Sequence, residues 1–438
     1  MLTISQQEFA QRRQRLMAQL PPNSIALIPA ATEILRNGFD NTFQFRQNSD
    51  FWYLTGFNEP DAVLVLIPQR AEGEVVLFNR PTDPKAEIWT GRRAGQVGAC
   101  RDFGMNEAFL IDTFDEKLPE FFKDKTAVYF PIGRNMHFDR QILKAMNRAR
   151  AGVRRGATAP NNFCNLDALL HTMRVVKSEQ EIVIMQKSND ISSEAHRLAM
   201  RSCQPGQYEY ELEAIIRGHC YKHGCRDMAY GAIVGAGENA CILHYVTNTA
   251  QIKENDLILI DAGGEYENYA SDITRTFPAN GRFQGEQKAI YEIVLDTQLK
   301  LLALLKPGLN WDVIQQTCRR SLTEGLVDVG LLQGNVDSLL EQQAYTPFYM
   351  HLFGHYLGLD THDAGSYKEN GQWPGLAPNM VFTIEPGLYI SANTPGVDER
   401  WWNIGVRIED NVVITQDGHR NLTTAPKTVA DIEALMRG

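Results

Sequence analysis

The hydrophobic pattern changes character once along this chain, near residues 173–177, and that change limits the folds open to it more than any other feature. Up to that point, four short β-rich runs (SIALIPA, AVLVLIP, EVVLFN and KTAVYFPIG) are separated by turn-formers. Phe9, Leu16 and Leu20 lie at helical spacing ahead of them, and helical stretches fall near 115–123 and 138–150. Residues 1–172 therefore read as an α/β unit with its own sheet. Beyond the change, Ser178 and Glu181 are spaced as a capping box that opens a long amphipathic pattern. Helices are expected near 179–201, 208–223, 284–305 and 311–329. Strands are expected at DLILIDAGG, SDITRTFPA, MVFTIEPGLYI and GVRIEDNVVIT. This segregation of helices from antiparallel strands predicts an α+β domain over 173–438. A length of 438 residues also exceeds what one hydrophobic core usually organises.

Charge and cysteine usage exclude several functions. The net charge is −10 and no run of five or six Lys/Arg occurs, which argues against a nucleic-acid partner. The pairs Arg12-Arg13, Arg92-Arg93 and Arg154-Arg155 are too short to alter that and are expected on a solvated surface or at a local substrate contact. Seven scattered cysteines without a CxxC fit neither a disulfide framework nor a cysteine-rich zinc site. The N-terminus has no continuous apolar core and carries Glu8, so it reads as a helix rather than a signal peptide, and no apolar run is long enough to span a membrane. A cytoplasmic location is expected.

The chemistry concentrates in the second half. An apolar strand runs into Asp261, a Gly-Gly turn follows, and a second strand is expected from about Asp272, with Thr274 and Thr276 on the face of that aspartate. An unpaired buried carboxylate costs several kcal/mol; metal coordination or backbone amides in a hairpin turn would both offset it. FYMHLFGHYLGLDTHD places His351, His355 and His362 within twelve residues, with Gly354 and Gly358 breaking any helix, so these histidines are expected on a loop or strand. Glu385 is the only carboxylate of VFTIEPGLYI, and Pro386-Gly387 must end or bend that strand directly after it. In GVRIEDNVVIT, Arg407 and Glu409 share a face, with Val406 and Ile408 on the other. Asp261, Asp272, His355, Glu385 and Glu409 form an oxygen-rich set suited to Mn²⁺, with Zn²⁺ or Co²⁺ also accommodated. Five protein ligands exceed a single catalytic zinc site and point to two ions. A competing cluster, His219, Cys220, His223 and Cys225, is weaker, because Cys220 leaves the histidine face and Gly224 ends the helix.

The order Asp-x10-Asp, His, Glu, Glu resembles the pita-bread metallopeptidases, which include methionine aminopeptidase, prolidase and aminopeptidase P. RQNSDFWYLTGFNEPDAVLVL, AEIWTGRRAGQ, IVGAGENACILHY, MHLFGHYLGLDTHD and IEPGLYI with GVRIEDNVVIT are similar to the bacterial aminopeptidase P group over nearly the whole chain. The resemblance implies a pita-bread catalytic domain behind a smaller N-terminal domain, and hydrolysis of the Xaa-Pro bond at a peptide N-terminus by water activated between two divalent ions. It implies that Asp261 serves one ion, that Asp272 and Glu409 bridge both, and that His355 and Glu385 complete the other, with Glu385 relaying a proton. It further implies His244, His351 and His362 as donors to the substrate carbonyl, and Arg407 as support for the Glu409 strand and the bound peptide. Tyr230 and Trp89 would shape the substrate pocket, Trp89 across a subunit contact in a homo-oligomer, often a tetramer. His244 is expected on a strand with Cys241 and Leu243. The sequence departs from the group at Met228-Ala229-Tyr230 and at Phe353, both beside the first-residue pocket rather than at ligand positions. A prolidase restricted to dipeptides would use the same ligands. A non-catalytic binding module on this fold, or a metal-free relative such as creatinase, would lack the full set.

Overall fold

The computed structural model describes residues 2–152, 154, 156, 158–368 and 370–438; Arg155, half of the third arginine pair, lies outside them. The chain divides into two compact units, one spanning Ile4–Met173 and the other built on Arg174–Gly438.

In the first unit all four apolar runs become strands, and they occupy the middle of a six-stranded sheet. Its order is Glu107–Leu110, Val75–Asn79, Val63–Leu66, Ser24–Pro29, Ala127–Phe130 and Asn162–Asn165. The sheet is mixed, because Ser24–Pro29 runs antiparallel to Val63–Leu66, with Leu27 opposite Val65, but parallel to Ala127–Phe130, with Ile25 opposite Val128. The two outer strands, EAFL and NFCN, are partly solvated and carry no alternating apolar signal. Ile25, Leu27, Val65, Phe78 and Val128 form the core against Phe114 and Leu118 of one helix and Phe138 and Ile142 of another. Arg12 and Arg13 do not lie on a solvated surface. Both are buried on the helix Gln6–Gln19, where their guanidinium groups donate to the carbonyls of Tyr53 and Leu54 at 3.1 and 2.8 Å. Those carbonyls end the helix Ser49–Thr55, whose C-terminal partial charge favours a cation.

The second unit opens with the helix Glu179–Ser202, capped by the reciprocal Ser178–Glu181 box, and packs it against Glu209–Lys222. Gly285–Leu304 pairs with Trp311–Asp328. The strands form short antiparallel sheets. Leu257–Asp261 lies between Ile233–Ala236 and Thr274–Pro278, with Asp261 opposite Thr274. The second of these strands therefore begins at Thr274, not at Asp272. The intervening chain folds back as a small hairpin, and Gly263 passes so close to Ser271 that a Cβ would stand 1.7 Å from its carbonyl oxygen, which only glycine allows. The long expected strand through Glu385 is two strands, Val381–Ile384 and Gly387–Ile390, because Pro386 has no N–H to continue the ladder.

The division between the units falls inside the helix Asp167–Val175. Arg174 and Lys177 are buried, and both reach Asp363, at 2.5 and 2.9 Å. Limited trypsin digestion of the native protein is accordingly expected to leave Arg174 and Lys177 uncut, and an early nick at either would contradict the burial. Among the described residues, no helix is long and apolar enough to cross a membrane.

Candidate metal centre

Strand ends deliver the acidic side chains to one point. Asp261 is the last residue of its strand, where Oδ1 accepts from the Tyr230 hydroxyl at 2.5 Å and Oδ2 from Arg407 Nη2 at 2.8 Å. The same Tyr230 hydroxyl lies 2.6 Å from Asp272 Oδ1. The backbone of Asp272 is pinned in turn by the side chain of Asn411, which accepts from its N–H and donates to its carbonyl. His355 sits in the irregular segment after Gly354. Its Nδ1 lies 3.0 Å from the Tyr356 carbonyl, which leaves Nε2 facing inward, 3.3 Å from Asp272 Oδ2 and 3.4 Å from Glu385 Oε1. Glu385 Oε1 accepts from Thr383 Oγ1 at 3.1 Å, and Glu409 Oε2 from Thr274 Oγ1 at 2.7 Å. Ligand atoms of Asp272, His355 and Glu409 all lie within 4.8 Å of one another.

Three buried carboxylates and the partly exposed Glu385 thus face the Arg407 guanidinium, and the electrostatics record the imbalance. Burial, then the neighbouring Asp272, raises the Asp261 carboxyl. Burial raises Glu409 as well, and the charges of Asp272, Glu385 and Asp261 add to it. Glu385 is pushed to about 7, chiefly by burial. Burial would also raise Asp272, but its hydrogen bond with His355 and that residue's charge hold it low. Burial opposes the charging of His355, yet the hydrogen bond to Asp272 and the charge of Glu385 outweigh it and raise the imidazole to about 9. Glu409 Oε1 is buried with no hydrogen-bond partner among the described residues. A crowded oxygen-rich set with one imidazole, short of positive charge and holding an orphaned oxygen, fits hard divalent cations.

The histidines differ from one another. His351 has both ring nitrogens engaged, Nδ1 with the Leu352 carbonyl at 2.7 Å and Nε2 with the Tyr389 hydroxyl at 2.9 Å. Burial, then Arg407, lowers it to about 4, so it is neutral at pH 7. His362 stands edge-on to His355 with ring centroids 4.3 Å apart. His244 is not on a strand; it is exposed in the turn that follows a short 3₁₀ helix at Gly237–Cys241, because the Tyr245 N–H bonds back to Ile242. It remains close enough for its charge to act on both His351 and His362. Arg407 is buried and also donates to Thr274 Oγ1 and the Tyr389 hydroxyl, at 3.1 and 2.9 Å. Tyr230 directs its hydroxyl at the two aspartates. Trp89 belongs to the other unit, 87% exposed on the helix Pro84–Thr90. Phe353 turns its ring away into the core against Trp311, with centroids 4.7 Å apart, while its carbonyl accepts from the Glu385 N–H at 2.7 Å.

Sequence reasoning missed Asn411, Thr383 and Arg275, which touch the ligand set or its backbone, and Tyr389, whose hydroxyl meets His351 and Arg407. Thr383 alone left a signal, as a polar residue two positions before Glu385 on the same strand face. At the competing cluster, Cys220 and Cys225 are buried beneath Gly264 while His219 and His223 stack on the outside, so their ligand atoms do not converge. A further acidic group, Asp50, Asp167 and His171, surrounds the Arg134 guanidinium, which already supplies its positive charge.

The fold and the site define a metal-dependent hydrolase. Residues 183–416 match the model of metallopeptidase family M24, and residues 9–129 match that of the aminopeptidase P N-terminal domain. The chain is 44% identical to the Xaa-Pro aminopeptidase of Escherichia coli, covering 100% of this chain and 99% of that one. It is 43% identical to the Xaa-Pro aminopeptidase of Haemophilus influenzae, covering 100% and 98%. Among solved structures, it is similar to a Pseudomonas aeruginosa aminopeptidase (TM-score 0.98, 50% identity, 100% and 99% covered). It is similar also to zinc-substituted E. coli aminopeptidase P in complex with product (TM-score 0.95, 44% identity, 99% of each). The chain belongs to metallopeptidase family M24, in its bacterial aminopeptidase P branch.

Proposed function

We propose that this protein removes the N-terminal residue of peptides whose second residue is proline, and that Asp261, Asp272, His355, Glu385 and Glu409 hold the two divalent ions it needs, most readily Mn²⁺. The observation that carries the reading is the convergence of these five side chains on one buried centre short of positive charge. Residues 1–172 are read as the aminopeptidase P type N-terminal domain and 173–438 as the catalytic domain. When bound, the ions supply Lewis acidity, polarising the scissile carbonyl and making water nucleophilic near neutral pH. Asp272 and Glu409 would be shared between the ions, with Asp261 serving one and His355 and Glu385 the other.

The chain's own groups do the rest. Glu385, aimed by Thr383, is the carboxylate that moves a proton from the attacking water toward the departing prolyl nitrogen. His244 and His362 are read as donors to the carbonyl on which negative charge develops. His351 fixes Tyr389, and Tyr389 with Asp261 and Thr274 fixes Arg407. Tyr230 holds Asp261 and Asp272 at one spacing. Exposed Phe39, Trp89, Ile88 and Val97 of the N-terminal unit favour burial in a homo-oligomer, and a tetramer would let Trp89 serve a neighbour's pocket. A cytoplasmic setting suits the free cysteines.

Assay of an Xaa-Pro-Yaa tripeptide beside an Xaa-Pro dipeptide, with added Mn²⁺ and metal analysis of the purified protein, tests the reading. A dipeptide-only activity would replace it with a prolidase, and a metal-free, inactive protein with a binding module.

Metal loading should also depend on pH. Glu385 at about 7 and His355 at about 9 are both raised in the metal-free fold, so their protonated forms stabilise it. That stability is complete below their unfolded values, about 4.3 for Glu and 6.5 for His, and is lost as pH rises through about 7 and then about 9. The same protons compete with the ions. The rise in melting temperature on adding Mn²⁺ should therefore grow from pH 5.5 to pH 8.5, with affinity gaining up to roughly tenfold per pH unit for each proton released. A shift independent of pH would contradict this.

A further inference from the structure

The two ladders that carry Glu385 and Glu409 are interrupted at the glutamates themselves. Val381–Ile384 pairs with Asp410–Ile414 up to the couple Ile384 and Asp410, and Gly387–Ile390 pairs with Ile404–Arg407 from the couple Gly387 and Arg407. Between these couples lie Glu385-Pro386 on one strand and Ile408-Glu409 on the other. The Glu385 N–H goes to Phe353 and the Glu409 N–H to Thr274 at 3.0 Å, so that the Ile408 N–H alone crosses the gap, to the Pro386 carbonyl at 3.3 Å. Pro386 has no N–H to return to the Ile408 carbonyl, which therefore needs a donor, and the Ile384 carbonyl beside it belongs to the last paired couple of its ladder.

One side chain from another element meets both. Gln298 lies on the helix Gly285–Leu304, whose other inward residues include Ile290, Tyr291, Val294, Leu301 and Leu302. It is fully buried, which is costly for an amide that has no partners. Its Nε2 lies 3.4 Å from the Ile384 carbonyl and 3.3 Å from the Ile408 carbonyl, and an NH₂ group has one hydrogen for each. The amide's orientation is set independently. Lys427 Nζ stands 2.7 Å from Oε1, and an ammonium can only donate, so the atom facing it must be the oxygen. Lys427 is itself anchored by Asp410, the residue after Glu409.

We propose that Gln298 is a positioning residue for the metal centre, its single amide bridging the break in the ladder and setting the relative placement of Glu385 and Glu409. The proposal rests on the reading of those glutamates as metal ligands. Gln298 touches neither ligand side chain and acts only through the backbone that carries them, with Lys427 as the lock on its orientation.

The test uses the full-length protein, with Mn²⁺ and Co²⁺ as probes. Gln298→Met keeps the length and removes both donors. Gln298→Glu keeps the contact with Lys427 but presents an acceptor to two acceptors, and it decides the matter should the methionine variant not fold. Each is expected to weaken Mn²⁺ binding in calorimetric titration by about 10- to 100-fold and to alter the visible absorption of the Co²⁺-loaded protein. The metal-free protein should melt lower, because buried carbonyls lose a donor, so positioning is read from the metal affinity and the Co²⁺ spectrum of the folded variant rather than from its melting temperature. Parental Mn²⁺ affinity and Co²⁺ spectrum in a folded variant would overturn the proposal, whether or not the metal-free protein melts lower. Glu409→Ala runs alongside: its loss of metal upholds the ligand reading independently of Gln298, whereas retention of parental binding would overturn that reading and this proposal with it.

Discussion

Replacing His355 or Glu385 by alanine is expected to abolish turnover, reducing kcat/KM by at least about 10³-fold, or ~4 kcal/mol of transition-state stabilisation. His355 Nε2 lies 3.3 Å from Asp272 and 3.4 Å from Glu385, and Glu385 is proposed both to hold an ion and to move a proton. Each truncation should therefore lower metal content as well as rate. His244→Ala and His362→Ala should behave differently, lowering kcat while metal content stays near the parent's, because these rings stand outside the carboxylate cluster. The measurements are steady-state kinetics paired with metal analysis of each purified variant. Near-parental activity with full metal content in His355→Ala or Glu385→Ala would falsify the ligand assignment.

The second large effect concerns the substrate. Exchanging proline for alanine at the second position, as in Ala-Ala-Ala against Ala-Pro-Ala, is expected to cost about 10²- to 10⁴-fold in kcat/KM. A prolyl amide has no N–H, so a site that hydrogen-bonds that group loses a contact, whereas a site built for the pyrrolidine ring needs apolar walls and places its donors on the carbonyl. The exposed apolar residues beside the histidines suit such walls: Ile242 and Val246 flank His244, and Met350 and Leu352 flank His351. Competition between the two peptides in one reaction measures the ratio directly. Comparable rates would remove the proline preference while leaving the hydrolase intact.

Much of this was legible in the sequence where one strong local rule acted. Apolar runs gave the central strands of the N-terminal sheet, and the Ser178–Glu181 spacing gave the start of a helix whose box is present. The carboxylates stood out because an ionisable group in an apolar strand needs a partner. Illegible features were those set by distant chain. The edge strands Glu107–Leu110 and Asn162–Asn165 are specified by the neighbours they pair with, not by their own pattern. Arg12 and Arg13 read as surface charge until the end of another helix offered them carbonyls. His244 read as a strand residue because Ile242, Leu243 and Tyr245 are good strand formers, but a tight turn claims that segment. Tyr230 lies 31 and 42 residues from the aspartates it joins, a separation no local pattern reveals.

At the glutamates two residues of each strand fall outside the registered couples, joined across the gap by the Ile408 N–H on the Pro386 carbonyl, and the number is the same on both strands. Register is therefore conserved across the gap, unlike a bulge, where unequal counts rotate the side chains that follow. Lengthening either strand by one residue between Val381 and Ile390, or between Ile404 and Ile414, would turn a liganding carboxylate to the opposite face. The connection from Ser391 to Arg400 is largely exposed and contributes no ligand. Insertions and deletions among homologous chains should accordingly collect in that connection and spare the two strands on either side of it, where spacing itself carries the chemistry.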